Sequence, residues 1–268
     1  MIGEHVLVGY VPDPGGREAL DLARTVVAHT GGRLTVAHVH PPDRVAAAGE
    51  AHALLEQAAE LLAGQPAEYT VQEGRSVGRG LSSLAGKVGA DLIVVGSPPG
   101  GARGRIAVSA TGDHLLHSAP EAVMLAPAGH RPTEEGLARI SVMYVQRPQA
   151  DEAVARAAVA AVTLGVPLRL VTLAIGDVST GRLRDDLALA IRLAQESSGL
   201  PPESVTAELG EGDDVAAALT DVPWSEGEIL VCASSEDAGA HRVFLGEVAL
   251  KVLRAAPCPV AVLPRGYS

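Results

Sequence analysis

Two long segments of this sequence recur in the same order, which is typical of a duplicated domain. LIVVGS at 92–97 matches ILVCAS at 229–234, and HSAPEAVMLAP at 117–127 matches RAAPCPVAVLP at 254–264, so each pair is separated by 137 residues. Near the start of each copy the separation is 134 residues, so the second copy contains a three-residue insertion. A period this long predicts two tandem globular units and not the short repeats of a solenoid.

Each copy alternates short apolar runs with longer segments whose apolar residues recur at helical spacing. The short runs are bounded by turn-forming residues, which favours buried strands. Such alternation predicts an α/β fold in which helices cover both faces of a parallel sheet. The predicted strands of the first copy are 5–10, 34–39, 67–74, 91–97 and 121–127, and those of the second copy are 140–145, 168–174, 205–210, 228–234 and 259–264.

A polar segment rich in Pro and Gly, PAGHRPTEEGLAR at 127–139, separates the two copies. Its composition is typical of a connection between domains. We therefore expect a first domain over residues 1–128, a linker over 129–138 and a second domain over 139–268.

Charge and composition narrow the possible partners. The net charge of −11 repels phosphate backbones and aromatic residues make up only 2% of the chain, so no binding to nucleic acid is expected. No apolar run reaches the roughly 18 residues that a membrane span requires, so no membrane partner is expected. With two cysteines, Cys232 and Cys258, and no export signal, we expect a cytoplasmic protein with buried, reduced thiols. Because both cysteines belong to neighbouring strands, a redox pair stays open as the alternative.

The loop GSPPGGARGR at 96–105 directly follows a buried strand of the first copy. In an open parallel sheet, ligands bind beyond the carboxyl ends of the strands, where the strand order reverses. The glycines of this loop permit close backbone approach, and Arg103 and Arg105 add positive charge without any acid in the loop. These properties favour a phosphate-binding loop, and a simple connection between elements remains the alternative.

Several segments together resemble the universal stress protein family. In the first copy the resemblance rests on VLVGY, LTVAHV, ADLIVVGS and LLHSAP, and in the second on ILVCASSEDAGAHRVFLGEVALKVLRAAPCPVAVLP. The resemblance implies two tandem doubly wound parallel five-stranded sheets of strand order 3-2-1-4-5, flanked by helices and similar to the adenine nucleotide alpha hydrolases. It also implies pseudo-twofold packing of the two domains through their last strands.

Members of this family that bind ATP carry the pattern Gly-x-x-Gly, nine residues, Gly-Ser/Thr, with an Asp after the first strand. In the first copy the pattern is altered, because Pro99 replaces the second Gly and Ser109 the third. Val11 stands where the Asp is expected, and Asp13 is a substitute two residues later. The resemblance therefore implies ATP or another adenine nucleotide with Mg²⁺ in domain 1, bound by Val11, Asp13, Val39, Gly96, Ser97, Gly100, Gly101, Arg103, Ser109, Ala110 and Thr111.

The second copy departs further from the pattern. Only Gly246 survives, while Ala233 replaces the first Gly and Glu236 the second, and Glu247 follows the third. These carboxylates would repel phosphates at the positions where the family binds them. Asp151 is the nearest substitute for the missing Asp. We expect domain 2 to bind no nucleotide.

Two functions fit these observations. The first is a regulatory role in the stress response that works through protein interaction, with degenerate ATP motifs in both domains. The alternative is an adenine-nucleotide-sensing module that binds ATP or ADP in domain 1 only. No catalytic residues are predicted, because the chain has neither a GxSxG elbow nor a full P-loop. No metal site is predicted, because no second motif completes the pair His114 and His117 beside Asp113. The domains are expected to form an intramolecular pseudodimer, and the sequence leaves a homodimer of tandem chains open.

Overall fold

The structure is a computed structural model that describes residues 2–42 and 47–266. In the first half, strands and helices alternate as β1 (His5–Gly9), α1 (Pro14–Thr30), β2 (Arg33–His40), α2 (Ala47–Leu61), β3 (Glu68–Glu73), α3 (Val77–Val88), β4 (Leu92–Gly96), α4 (Ala110–Ser118) and β5 (Ala122–Ala126). The second half follows as β6 (Arg139–Met143), α5 (Pro148–Leu164), β7 (Leu168–Ile175), α6 (Thr180–Ser198), a short 3-10 turn (Pro202–Ser204), β8 (Val205–Gly212), α7 (Val215–Asp221), β9 (Glu228–Ala233), α8 (Glu247–Ala255) and β10 (Val260–Leu263).

All ten strands form one continuous sheet in the order β3-β2-β1-β4-β5-β10-β9-β6-β7-β8. Within each half the strands are parallel and follow the order 3-2-1-4-5, so the predicted fold class is confirmed. The halves meet where β5 and β10 pair antiparallel, with Met124 beside Ala261. The sheets implied by the sequence are therefore joined through their last strands into a single sheet.

Local sequence signals define the ends of the helices that face the switch point of domain 1. Helix α1 begins after Asp13, whose side chain accepts a hydrogen bond from the backbone N–H of Gly16, and it ends at Gly31 with a φ of 66°. Helix α4 begins after Ser109, whose hydroxyl accepts from the N–H of Gly112. A short polar side chain before the first turn and a left-handed glycine after the last are strong helix boundaries.

Two aliphatic cores lie on opposite faces of the sheet. Helices α1, α2, α5 and α6 cover one core, and α3, α4, α7 and α8 cover the other. Each core contains residues from both domains and extends across the β5–β10 pair. The inner strands are buried on both faces, which explains their continuous apolar runs, whereas the edge strands β3 and β8 are partly exposed.

Further hydrogen bonds join the domains on both faces of the sheet. On one face, the N–H of Val243 donates to the carbonyl of Ala119 at 2.8 Å, and Arg242 Nη1 donates to the carbonyl of Ser118 at 2.7 Å. These contacts satisfy carbonyl groups at the end of α4 that have no partner within the helix. On the other face, His29 Nε2 accepts from the N–H of Leu137 at 3.0 Å.

Cys232 and Cys258 are both buried free thiols. Strand β10 runs beside β9 with Val262 opposite Cys232, so Cys258 lies toward the other end of the strand pair. Burial raises the pKa of the Cys232 thiol to about 12 and also raises the pKa of Cys258. The two thiols are not bonded to each other.

Among the residues that the structure describes, none of the helices has both the length and the hydropathy needed to cross a bilayer.

Candidate functional site

A cavity of about 180 Å³ opens at the carboxyl ends of β1, β2 and β4 in domain 1. The strand order reverses between β1 and β4, so this is the position where ligands bind in doubly wound sheets. We call it the switch-point cavity. Seven of the eleven predicted contact residues line it, namely Val11, Asp13, Val39, Gly96, Ser97, Ser109 and Thr111.

Three further predicted residues, Gly100, Gly101 and Arg103, lie in a neighbouring cavity of about 330 Å³. We call this the arginine cavity, because Arg131 lines it as well. Pro98 and Pro99 line both cavities, so they form the wall between them. Ala110 lines neither cavity and is exposed as the first residue of α4.

The inner wall of the switch-point cavity is aliphatic. Val39 and Leu81 form part of it, together with Val77 and Val95. Val39 packs tightly on Gly80, where an added Cβ would lie 2.5 Å from Val39 Cγ1. Val39 was predicted from the sequence, whereas Leu81 was not, because its only signal was its place on the buried face of the helix between the third and fourth strands.

The polar side of the switch-point cavity is formed by the beginnings of two helices. Asp13 Oδ1 accepts from Gly16 N at 2.8 Å, and Ser109 Oγ accepts from Gly112 N at 3.1 Å. The cap leaves other N–H groups of each first turn without a partner inside the helix. Helix N-termini therefore contribute positive potential on this side of the cavity.

Two glycines have a packing role at the end of β4, and one of them, Gly96, was predicted as a contact residue. A Cβ on Gly96 would lie 1.9 Å from the carbonyl oxygen of Gly15, and a Cβ on Gly15 would lie 2.0 Å from that of Ser97. Only glycine therefore permits the start of α1 to approach the end of β4 so closely. Gly15 was not among the predicted contact residues, although the pair of glycines in VPDPGG was a signal for it.

The hydroxyl of Ser97, which the sequence analysis placed among the nucleotide contacts, is used inside the loop. It donates to the carbonyl of Ala126 at 2.9 Å and accepts from the N–H of Ala107 at 3.1 Å. Ser234 makes the same two bonds in domain 2, to Leu263 at 2.6 Å and from Phe244 at 3.2 Å. The same two hydrogen bonds are therefore made in both domains. This serine fixes the loop after the fourth strand whether or not the nucleotide pattern is present.

Arg103 lies along the segment that follows β5. An added Cβ on Gly129 would lie 2.8 Å from Arg103 Cγ, so the side chain crosses the backbone there. Glu18 also lines the arginine cavity, and its Oε1 accepts from the N–H of Gly129 at 2.5 Å. Burial raises the pKa of the Glu18 carboxyl, although the bond from Gly129 opposes this.

In the corresponding loop of domain 2, Glu236 contacts two arginines from other segments of the domain. Arg147 Nη1 donates to Glu236 Oε1 at 3.3 Å, and Arg265 Nη1 donates to the carbonyl of Glu236 at 2.6 Å. Glu247 at the start of α8 pairs with Lys251 at 2.8 Å. The carboxylates predicted to repel phosphates therefore lie in ion pairs across this loop and along the following helix.

Asp151 does not extend toward the loop of domain 2. Its Oδ1 accepts a hydrogen bond from the buried hydroxyl of Tyr144 at 3.0 Å. Burial raises the pKa of Tyr144, and the hydrogen bond to Asp151 and the negative charge of Asp151 raise it further. Asp151 is therefore engaged within its own domain.

The chain belongs to the universal stress protein family, whose model matches residues 3–127 and again residues 137–264. It is a tandem member, because the family model matches once in each half of the chain.

The chain is similar over nearly its whole length to curated members of that family. It is 31% identical to the universal stress protein Mb2346c of Mycobacterium bovis, over 97% of this chain and 99% of that protein. The identity and coverage are the same for the universal stress protein Rv2319c of Mycobacterium tuberculosis. Among solved structures, a universal stress protein from Archaeoglobus fulgidus matches with a TM-score of 0.73 at 17% identity, covering 99% of this chain and 100% of that one. At this identity the match shows a shared fold and nothing beyond it.

Proposed function

We propose that this chain is a regulatory protein of the cytoplasmic stress response in which domain 1 binds an adenine nucleotide and domain 2 does not. Binding by domain 1 would change the surface that the chain presents to other proteins, so its output is a protein contact. The domain boundaries that accompany this proposal are 1–128 and 139–268, with a linker over 129–138.

The observation that carries the proposal is the pairing of an aliphatic wall with two helix N-termini in one cavity at the switch point. Val39 and Leu81 offer apolar contact to an adenine ring. Ser109 and Thr111, at the start of α4, lie where the N–H groups and dipole of that helix favour a phosphate. Mg²⁺ would arrive with the nucleotide, held by its phosphate oxygens.

The size of the cavity indicates which part of the nucleotide it receives. At about 180 Å³ it is smaller than the roughly 300–1,000 Å³ of most small-molecule sites. We infer that the base and part of the ribose occupy the switch-point cavity. The phosphates then extend past the start of α4 toward the arginine cavity, which shares the walls Pro98 and Pro99. In this arrangement Gly100, Gly101 and Arg103 contact the phosphate end.

The proposal for domain 2 rests on charge and backbone shape. Glu236 and Glu247 place carboxylates at the positions that correspond to the phosphate contacts of domain 1. Gln149 corresponds to Gly15 and Ala233 to Gly96, so the close glycine-to-glycine approach of domain 1 has no equivalent there. Both differences disfavour a nucleotide.

Changing Ala110 to Glu is expected to weaken ATP binding at least tenfold, because it gives domain 1 the carboxylate that domain 2 carries at Glu247. Ala110 is exposed at the first position of α4, where an acidic residue favours the helix, so the fold should be retained. A carboxylate about 4 Å from a phosphate oxygen costs a few kcal/mol at an effective dielectric near 20, and more than 1.4 kcal/mol is a tenfold loss.

Isothermal titration of ATP with Mg²⁺ into the purified full chain measures this effect. Ala110→Gln, which has a similar size and no charge, is the matched control and should bind within about twofold of the unaltered chain. Equal affinities of the Glu and Gln variants would contradict phosphate binding at α4. No detectable binding of ATP or ADP to the unaltered chain, together with no adenine nucleotide released on denaturing it, would contradict the nucleotide proposal altogether.

A further inference from the structure

A third and larger cavity lies between the domains, on the face of the sheet that α1 and α5 cover. It has a volume of about 840 Å³ and is floored by strands on both sides of the β5–β10 pair. We call it the seam cleft. We propose that the seam cleft binds an uncharged molecule with a long aliphatic chain. This proposal is independent of the nucleotide site, which lies at the carboxyl ends of β1 and β4.

The shape of the seam cleft fits a small molecule. Its floor is made by buried side chains of four strands, Leu92, Met124, Val231, Ile229, Ala261 and Leu263. Val26 of α1 forms one wall, and Val159 and Ala160 of α5 form the other. Its volume lies within the range of about 300–1,000 Å³ that is usual for ligand sites, and such sites are mostly apolar.

The threonine and histidine side chains at the rim are already hydrogen-bonded within the protein. Thr30 Oγ1 donates to the carbonyl of Gly3 at 2.7 Å, and Thr25 Oγ1 donates to that of Asp21 at 3.0 Å. His29 bonds the carbonyl of Thr25 through Nδ1 and accepts from a backbone N–H through Nε2, so both ring nitrogens are used. A ligand would therefore gain most from apolar contact with the floor.

Among the described residues that line the seam cleft there is no Phe, Tyr or Trp, which is consistent with the scarcity of these residues in the chain. A flat aromatic ligand would find no ring to stack against. A flexible alkyl or isoprenoid chain, in contrast, matches the branched aliphatic side chains of the floor and walls.

The charged groups around the seam cleft favour an uncharged chain over a fatty-acid anion. Among the described residues, the ionisable groups that face the cleft, apart from His29, are the carboxylates of Glu4, Asp91 and Glu152 and the guanidinium of Arg156. Arg156 Nε lies 3.9 Å from Glu152 Oε1 of the same helix, so this carboxylate offsets the positive charge of Arg156. This excess of carboxylates repels an anionic head group.

The test is a titration of the full chain with 1-dodecanol and, separately, with dodecanoate, each displacing the neutral dye Nile red. We expect saturable binding of one dodecanol per chain and at least tenfold weaker binding of dodecanoate. Ala160→Phe, which fills the cleft from α5, should weaken dodecanol binding at least tenfold. Val162→Phe adds the same side chain to an exposed position of α5 outside the cleft and should leave the affinity within about twofold.

Thermal unfolding of each variant shows whether it folds, and Ala155→Phe, which also enters the cleft from α5, replaces Ala160→Phe if that variant does not. Equal or tighter binding of dodecanoate would overturn the preference for an uncharged chain. Unchanged dodecanol affinity in the cleft-filling variants would overturn the site. Light scattering tests a second copy as the occupant, and a dimer that only the cleft-filling variants dissociate would overturn a small-molecule ligand.

Discussion

Replacing Glu228 with Ala is expected to lower the free energy of unfolding of domain 2 by about 3–5 kcal/mol, the usual cost of removing one partner from a buried ion pair. The Glu228 side chain is completely buried at the start of β9. Its Oε1 accepts from Arg169 Nη2 at 2.5 Å and from the hydroxyl of Ser141. Its Oε2 accepts from Arg139 Nη2 at 2.8 Å and from the N–H of Ser225 at 3.1 Å.

The cost arises mainly from Arg169, because its guanidinium would stay buried without a counter-charge. The Arg169 side chain is only 3% exposed. Nη1 donates to the carbonyl of Pro223 at 2.6 Å, and the guanidinium lies 4.8 Å from the ring of Trp224, so it cannot turn outward without losing both contacts. Burial already lowers the pKa of Arg169, while the charge of Glu228 opposes that shift.

Asp91 provides the matched control, because it directly precedes β4 in domain 1 at the position that corresponds to Glu228 of domain 2. Its carboxylate accepts from three backbone N–H groups, those of Gly3, Glu4 and His5. Asp91→Ala should therefore lower the free energy of unfolding by about 1–3 kcal/mol, because it leaves backbone N–H donors unpaired but no buried cation without a counter-charge.

Urea unfolding at pH 7 measures both losses. Combining Glu228→Ala with Arg169→Met should recover part of the stability, because the double variant removes the uncompensated charge together with its partner. A loss at Glu228 no larger than the loss at Asp91, or a double variant less stable than Glu228→Ala alone, would show that the charge is not the source of the effect.

The fold was predictable because each strand and helix carries its own local signal. The repeat at 137 residues and the alternation of apolar runs gave two α/β units, and the family resemblance added the strand order and the meeting of the last strands. The contacts that close the interface were not predictable. Arg242 reaches the carbonyl of Ser118 across 124 positions of sequence, and no local pattern indicates such a partner.

The candidate site was predictable where it depends on strand ends and not where it depends on the path of a loop. Asp13, Val39 and Ser109 come together because parallel strands end at the same edge of the sheet. Gly100 and Arg103 lie apart because the loop turns at Pro98 and Pro99 and then bonds to the segment after β5. There the N–H of Gly104 donates to the carbonyl of Ala128 at 2.7 Å.

Lowering the pH from 7 to 4 is expected to remove up to about 3 kcal/mol of stability through His130 alone. Burial lowers the pKa of this imidazole from 6.5 to about 4, and its Nε2 is buried without a hydrogen-bond partner among the described residues. Between these two pH values the unfolded chain binds a proton that the folded chain does not, so stability falls with pH. Each unit of difference in pKa corresponds to about 1.4 kcal/mol.

The comparison of unaltered and His130→Leu chains isolates this contribution. Burial raises the pKa of the carboxyls of Glu18, Asp21, Asp91 and Glu121, and these groups act in the opposite direction, because a raised carboxyl pKa favours the folded state as the pH falls. Their effect is common to both chains and cancels in the difference.

Unfolding free energies measured at intervals between pH 7.5 and pH 4 should therefore decline less steeply in His130→Leu, with the two curves separating below about pH 6.5. His52→Leu, which removes an exposed imidazole from α2, controls for the loss of a histidine elsewhere. Parallel curves for His130→Leu and the unaltered chain would show that His130 takes up its proton equally in both states. Because His130 lies between β5 and β6, a confirmed difference would place an acid-sensitive group in the connection between the two domains.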